Sequence, residues 1–391
     1  MAEGFAGRTA IAGIGQTEFS KDSGRSELRL AAEAVMAALE DAGLTPGDVD
    51  GMVTFVLDDN PEIEVQRAIG GGELTYFSRV DYGGGAACGV VMQAAMAVAS
   101  GAAEVVVCYR AMNERSGNRF GAGVQRNAAR PTSLSVHFGW YAPFGLLTPA
   151  SWVAMQAQRY LHDTGATTEA FGRVAMACRR HAANNPNAWF HGRPITLEDH
   201  ARSRWIVRPL RLLDCCQESD GGVALVVTSL ERARDLRRPP AVIRAAAQGA
   251  SRDQQMMTGY YRDRIGDLPE MDLVARQLWK TSGLGPADVQ TAVIYDHFTP
   301  FVLPQLEAFG FCAPGEAKEF VKDGNIEVGG ALPINTHGGQ LGEAYIHGMN
   351  GVAEGVRQIR GTSPNPVTGV QHVLVTAGTG PPTSALLLGA D

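Results

Sequence analysis

The chain repeats itself. Residues 38–55, ALEDAGLTPGDVDGMVTF, recur 240 positions later as residues 278–295, LWKTSGLGPADVQTAVIY, with GL-x-P-x-DV in common. Each copy encodes the same local path: a helix end, a glycine that stops it, a Pro-Asp turn, then an apolar strand. A second pair follows. VMQAAMAVASGAAEVVVCY (91–109) has the same order of small-residue helix, glycine and Val-rich strand as YIHGMNGVAEGVRQIRG (345–361) with VQHVLVTAG (370–378). DGGVALVVTS (220–229) and PPTSALLLGA (381–390) close the two halves as apolar strands. Two copies at so long a period mean duplicated domains rather than a solenoid of short units.

Each half reads β-α-β-α-β-β. Strands apolar along nearly their whole length suit sheets covered by helices on both faces. The helix over 87–99 is almost entirely Ala, Val, Met and Gly, so it has no face for water and belongs between the two sheets. The expected division is 1–111 with 217–235 as the first half and 236–391 as the second. Residues 112–216, with amphipathic helices around 152–163 and 171–184, form an inserted loop domain of the kind that carries specificity.

Composition excludes several classes. At 391 residues, 45% hydrophobic and 19% charged, the chain is globular and large enough for two or three domain-sized units. No apolar run approaches the ~18 residues of a membrane span. MAEGFAGRT lacks the basic and apolar regions of a secretory signal. The six cysteines, including adjacent Cys215 and Cys216, have no zinc-like or secreted-framework spacing, which suits free thiols in a reducing cytoplasm. No histidine set has metal-ligand spacing, so no metal is expected. The formal charge of −7 argues against a nucleic-acid partner. An anionic ligand needs a local basic patch, for which Arg110, Arg115, Arg119, Arg126 and Arg130 are candidates; a solvated loop explains them equally well.

The segment NTHGGQLGEAYIHGMNG (335–351) is similar to the glycine-rich loop of thiolases, GG-x4-GHP-x-G-x-(S/T)-G. Gly338, Gly339, Gly348 and Gly351 match, and Tyr345 stands where that loop carries its catalytic His. GRTAIAGIGQTEF resembles the opening strand of the sterol-carrier-protein thiolases, and YDHFTPF (295–301) resembles their HDCF motif with Tyr295 at the His position. Over essentially the whole chain the sequence resembles the thiolase superfamily, and within it the lipid-transfer-protein group and its steroid side-chain aldolases. The resemblance implies an α/β thiolase fold, two duplicated αβαβα halves stacked as five layers.

It also implies what is missing. A thiolase nucleophile is a Cys at the start of a buried helix; here the turn is DYGGGAACGVV, with Gly84 or Gly85 at that position and Cys88 about one helical turn further in. Cys88 is read either as a displaced nucleophile or as a small buried residue. The second thiolase Cys is matched by Ala377. Loss of the nucleophile removes the usual route of covalent acyl transfer. Tyr295 and Tyr345 are then the candidate catalytic groups, since a phenol donates a hydrogen bond and, with a depressed pKa, acts as a base. His337 is a candidate oxyanion donor beside Asn335. Backbone at Gly84 and Gly85, with His297 and His347, are candidate substrate-binding groups.

The implied reaction is retro-aldol cleavage of a 17-hydroxy steroid side-chain acyl-CoA to a 17-ketosteroid and propionyl-CoA. The CoA belongs to the substrate, and no cofactor is expected. The implied partners are a second copy, joined edge to edge through the strand at 104–110, and a chain with an OB-fold and zinc ribbon from an acyl-CoA hydratase. Two other readings compete: a non-catalytic acyl-CoA or lipid-binding scaffold, and a thiolase using Cys88.

Overall fold

A computed structural model describes residues 4–122, 139–255 and 257–391. Arg126 and Arg130 of the basic stretch lie outside them.

The repeat is visible in local geometry. Helix Glu27–Ala42 ends at Gly43 with φ 77°, and helix Pro269–Ser282 ends at Gly283 with φ 70°. Only glycine adopts that left-handed backbone without a Cβ penalty. A short 3₁₀ turn follows each, at Pro46–Asp48 and Pro286–Asp288. Asp48 Oδ2 accepts from the Thr45 N–H and Asp288 Oδ2 from the Gly285 N–H, both at 2.8 Å.

The strands run β1 (Thr9–Gln16), β2 (Gly51–Phe55), β3 (Tyr76–Val80) and β4 (Val105–Asn113) in the first half. A small hairpin, β5 (Trp205–Val207) with β6 (Leu210–Arg211), precedes β7 (Asp220–Ser229). The second half holds β8 (Ala241–Gly249), β9 (Thr291–Val293), β10 (His372–Thr376) and β11 (Thr383–Gly389). Their order is β3-β2-β4-β7-β1 followed by β8-β11-β10-β9. In both halves a parallel pair (β2 with β4, β9 with β10) is followed by antiparallel steps to the closing and opening strands. The halves meet through the short β1–β8 pairing at Ala10 and Ile11.

The layers are αβαβα. Helix Glu27–Ala42 covers β1, β4 and β7 from outside, and helix Pro269–Ser282 covers β8 and β11. Helix Ala87–Ser100 packs on β2, β4 and β7 of one half and on β8 and β11 of the other. Helix Met349–Arg360 likewise reaches β9 and β10 as well as β1 and β7. The apolar helix expected between the sheets is therefore there, and most of its residues are buried. The helices of the intervening segment span Pro149–Thr164 and Thr168–Asn184.

One expectation fails. The strand at 104–110 is not an edge: β4 pairs with β2 on one side and β7 on the other, so its backbone groups are already used. The open edge of the first half is β3, which pairs only with β2 among the described strands. Phe77 on β3 is exposed, as are nearby apolar residues Ile63 and Met96 on the flanking helices.

Candidate active site

Tyr295 follows β9, where the strand delivers it toward the centre of the molecule. Its backbone is pinned on both sides. Its N–H donates to Thr376 Oγ1 at 2.9 Å, and Gln305 Nε2 donates to its carbonyl at 2.8 Å. The ring then lies in a slot made by three glycines. A Cβ at Gly348 would sit 3.0 Å from the ring and one at Gly378 would sit 2.8 Å from it. A Cβ at Gly84 would land on the Tyr295 hydroxyl itself. Gly84, one of the two positions matched to the thiolase cysteine, thus has no room for a side chain, because a phenol from the other half fills it.

Tyr345 comes from the glycine-rich loop. That loop is held by Asp296, which accepts from the Gln340 N–H at 2.8 Å and the Leu341 N–H at 3.4 Å. The Tyr345 N–H donates to Ser219 Oγ at 3.1 Å. The two phenols are neighbours on one cavity wall, each close enough to act on the other's ionisation. Burial pushes both hydroxyls up from the ordinary phenol range, and for Tyr345 the adjacent Tyr295 adds to it. The depressed phenol expected from the sequence is therefore corrected: both rings are protonated donors, because neither meets a cation and both lie out of water.

His297 and His347 join them. His297 lies 4.9 Å from the Tyr295 ring and stacks on Phe301 at 4.6 Å, and burial lowers its pKa to about 3. His347 is held by a chain from the first half. Asp58 Oδ2 pairs with Arg110 Nη1 at 3.0 Å, and Arg110 Nε donates to His347 Nδ1 at 3.1 Å. Nδ1 therefore accepts, and the ring proton sits on Nε2. Burial first, then Arg110, hold His347 well below its ordinary pKa, so it is a neutral donor.

Tyr295, Tyr345, His297, His347 and Gly84 all line one cavity of about 950 Å³. Gly85 does not; a Cβ there would run into the Pro382 carbonyl. Nor does His337, which is buried behind the loop with Nε2 3.9 Å from Glu343. Asn335 is spent on structure: its Oδ1 accepts from the Ile294 N–H and its Nδ2 donates to the Ile294 carbonyl, both at 2.8 Å. Cys88 is fully buried, with Sγ 3.5 Å from the Val375 carbonyl, and is absent from the cavity wall.

Residues that the sequence did not offer as site groups also reach the cavity: Lys21, Tyr82, Glu114 and Cys216. Glu114 directly follows β4. The rule that ligands bind outside the carboxyl ends of strands points to it, as it does to Tyr295 after β9. Arg115, Arg119 and Arg204 line the same cavity.

A family model described as "Thiolase C-terminal domain-like" matches residues 263–388. The chain is 67% identical to the steroid side-chain-cleaving aldolase of Thermomonospora curvata, over 98% of each chain. It is 67% identical to the 17-hydroxy-3-oxo-4-pregnene-20-carboxyl-CoA lyase of Mycobacterium tuberculosis, over 98% of this chain and all of that one. The solved structure titled "Ltp2-ChsH2(DUF35) aldolase" superposes with a TM-score of 0.95 at 66% identity, covering 100% of this chain and 99% of the other. The chain belongs to the thiolase superfamily, among its steroid side-chain-cleaving aldolases.

Proposed function

We propose that the chain cleaves a 17-hydroxy steroid side-chain acyl-CoA into a 17-ketosteroid and propionyl-CoA by a retro-aldol reaction. The observation that carries this reading is the Tyr295–Tyr345 pair, contributed by a strand end and a loop, lining a cavity whose wall does not include Cys88 and where glycine stands at the thiolase nucleophile position. The β-hydroxyl of the substrate gives its proton to Tyr345 as Tyr345 passes its own proton on. The Cα–Cβ electrons move into the thioester, forming an enolate. Tyr295 gives a proton to Cα and is refilled through Tyr345. One proton leaves oxygen and one arrives at carbon, so the overall reaction needs no external acid, base or redox cofactor; the thioester is the electron sink.

The enolate oxygen is held by the Nε2–H of His347 and backbone at Gly84, with His297 packing against the Tyr295 ring. Donors fixed in place before reaction stabilise developing charge without reorganisation. The Arg115, Arg119 and Arg204 side chains at the cavity suit the phosphates of CoA. The scaffold reading loses ground because a neutral donor set so tightly fixed by Asp58 and Arg110 is more than lipid binding requires.

The proposed assembly is a homodimer joined through β3, which offers an open edge and an exposed Phe77, with an OB-fold and zinc-ribbon chain of an acyl-CoA hydratase as further partner. The relative titled "Ltp2-ChsH2(DUF35) aldolase" supports a second chain as partner.

The test is incubation with a 17-hydroxy steroid acyl-CoA, with and without the OB-fold partner, and mass detection of propionyl-CoA. Tyr295→Phe and Tyr345→Phe should each lower kcat on the order of 10²–10⁴-fold with the fold intact. Full activity in both variants would reject the reading.

A further inference from the structure

Two neutral phenols have no vacancy for a proton. Each already carries one, and a protonated phenol is far too acidic to persist. Tyr345 accepts the substrate's proton only if its own proton leaves at the same time. Tyr295 offers no place until it has reprotonated carbon. In a stepwise reaction, with cleavage before protonation, a third group holds one proton between C–C cleavage and enolate protonation.

Glu114 has the required properties. It lines the same cavity as both tyrosines. It is 4% exposed, and its Oε2 is buried without a hydrogen-bond partner. Its backbone shares an anchor with Tyr345: the Glu114 N–H donates to the Ser219 carbonyl at 3.3 Å, while the Tyr345 N–H donates to Ser219 Oγ. The neighbouring Glu218 is not equivalent, because its carboxylate is engaged by Arg119 at 2.7 Å. The other charged or titratable groups facing Glu114 are Lys21, Arg110, Cys216, Glu218 and Tyr345. Lys21 donates to Gln217 Oε1 at 3.0 Å and to the Glu218 carbonyl, and its charge acts on Glu114 through space, opposing the shift without reversing it. Burial above all, and then Glu218, raises the Glu114 carboxyl well above its ordinary range.

We propose that the Glu114 carboxylate receives, through Tyr345, the proton taken from the substrate hydroxyl and returns it after the enolate is protonated. The step balances. The substrate O–H proton goes to Tyr345 Oη as the Tyr345 proton goes to Glu114, and the broken C–C bond's electron pair enters the enolate. Tyr295 then protonates Cα, is refilled from Tyr345, and Tyr345 is refilled from Glu114. The inference rests on the retro-aldol reading above.

The experiment compares wild type, Glu114→Gln and Glu114→Asp as complexes with the partner chain, with propionyl-CoA release followed across pH 5.5–9. Gln keeps size and polarity but cannot hold the proton. The expected result is a kcat loss of about 100-fold or more in Glu114→Gln with KM little changed, and loss of the acidic limb on which wild-type activity rises with pH. Glu114→Asp should recover part of the rate and the limb. Wild-type turnover with Glu114→Gln within about twofold of it, acidic limb retained, overturns the proton-holding role alone. A raised KM with unchanged kcat also overturns it, as a binding role. Absence of wild-type cleavage instead removes the retro-aldol reading beneath it.

Discussion

The Tyr295 hydroxyl occupies the space that any side chain at Gly84 would need. Gly84 begins the helix start that, in a thiolase, presents its nucleophile. Replacement of that chemistry is thus steric as well as chemical: a thiol and this phenol exclude each other. Gly84→Ala should lose nearly all activity and about 1–3 kcal/mol of stability through overpacking. Adding Tyr295→Ala should recover stability relative to the sum of the two single changes, by about 1 kcal/mol or more, without restoring activity. Denaturant unfolding of the four proteins checks the sign of the coupling.

Cys88 lies in the core rather than on the cavity. Burial raises its thiol, so there is little thiolate to react. Cys88→Ala should keep kcat within about twofold, and iodoacetamide should not inactivate the native protein by labelling Cys88. Peptide mapping of the labelled protein alongside its activity reads both.

The Asp58–Arg110 pair is 0% and 3% exposed at its side chains. Arg110→Met leaves a buried carboxylate without its charge partner, which should cost roughly 3–5 kcal/mol. Arg110→Lys should not rescue activity, because a single ammonium does not reproduce the guanidinium fork that reaches Asp58 and His347 together. Asp58→Asn combined with Arg110→Met should recover stability while kcat remains low. Urea midpoints and turnover measured on the same preparations separate the two effects.

His297 is held neutral, its pKa lowered to about 3 by burial. The unfolded chain takes up its proton near pH 6.5, the folded chain only near pH 3. Between these values the unfolded state binds more protons, so this contribution is full above pH 6.5 and is lost progressively as pH falls. His297→Gln should reduce the slope of stability against pH between about 4 and 6 by about 1.4 kcal/mol per pH unit. Unchanged slopes in urea titrations at pH 4.5 and 5.5 would mean that the imidazole is solvated.

Phe77 is 62% exposed on the open edge strand β3. A second copy pairing there would cover the apolar surface and satisfy the free backbone groups. Phe77→Glu should shift the solution mass from dimer to monomer by light scattering, while Val107→Thr on the interior strand β4 should not.

The duplication, the succession of helices and strands in each half apart from β3, and the buried central helix were legible from the sequence, because glycine stops, Pro-Asp turns and apolar periodicity act over a few residues. So were Tyr295 and Tyr345, because departures at fixed places in an HDCF-like motif and in a glycine-patterned loop stand out. What only the tertiary structure decided was which strand is the edge, and which polar groups share the cavity. A strand is interior or terminal according to neighbours far away along the chain, so the Val-rich composition of β4 was silent on it. His337 fell behind the loop and Glu114 came to the cavity for the same reason. The sequence names the residue, but the direction of its side chain depends on how the two halves close over each other.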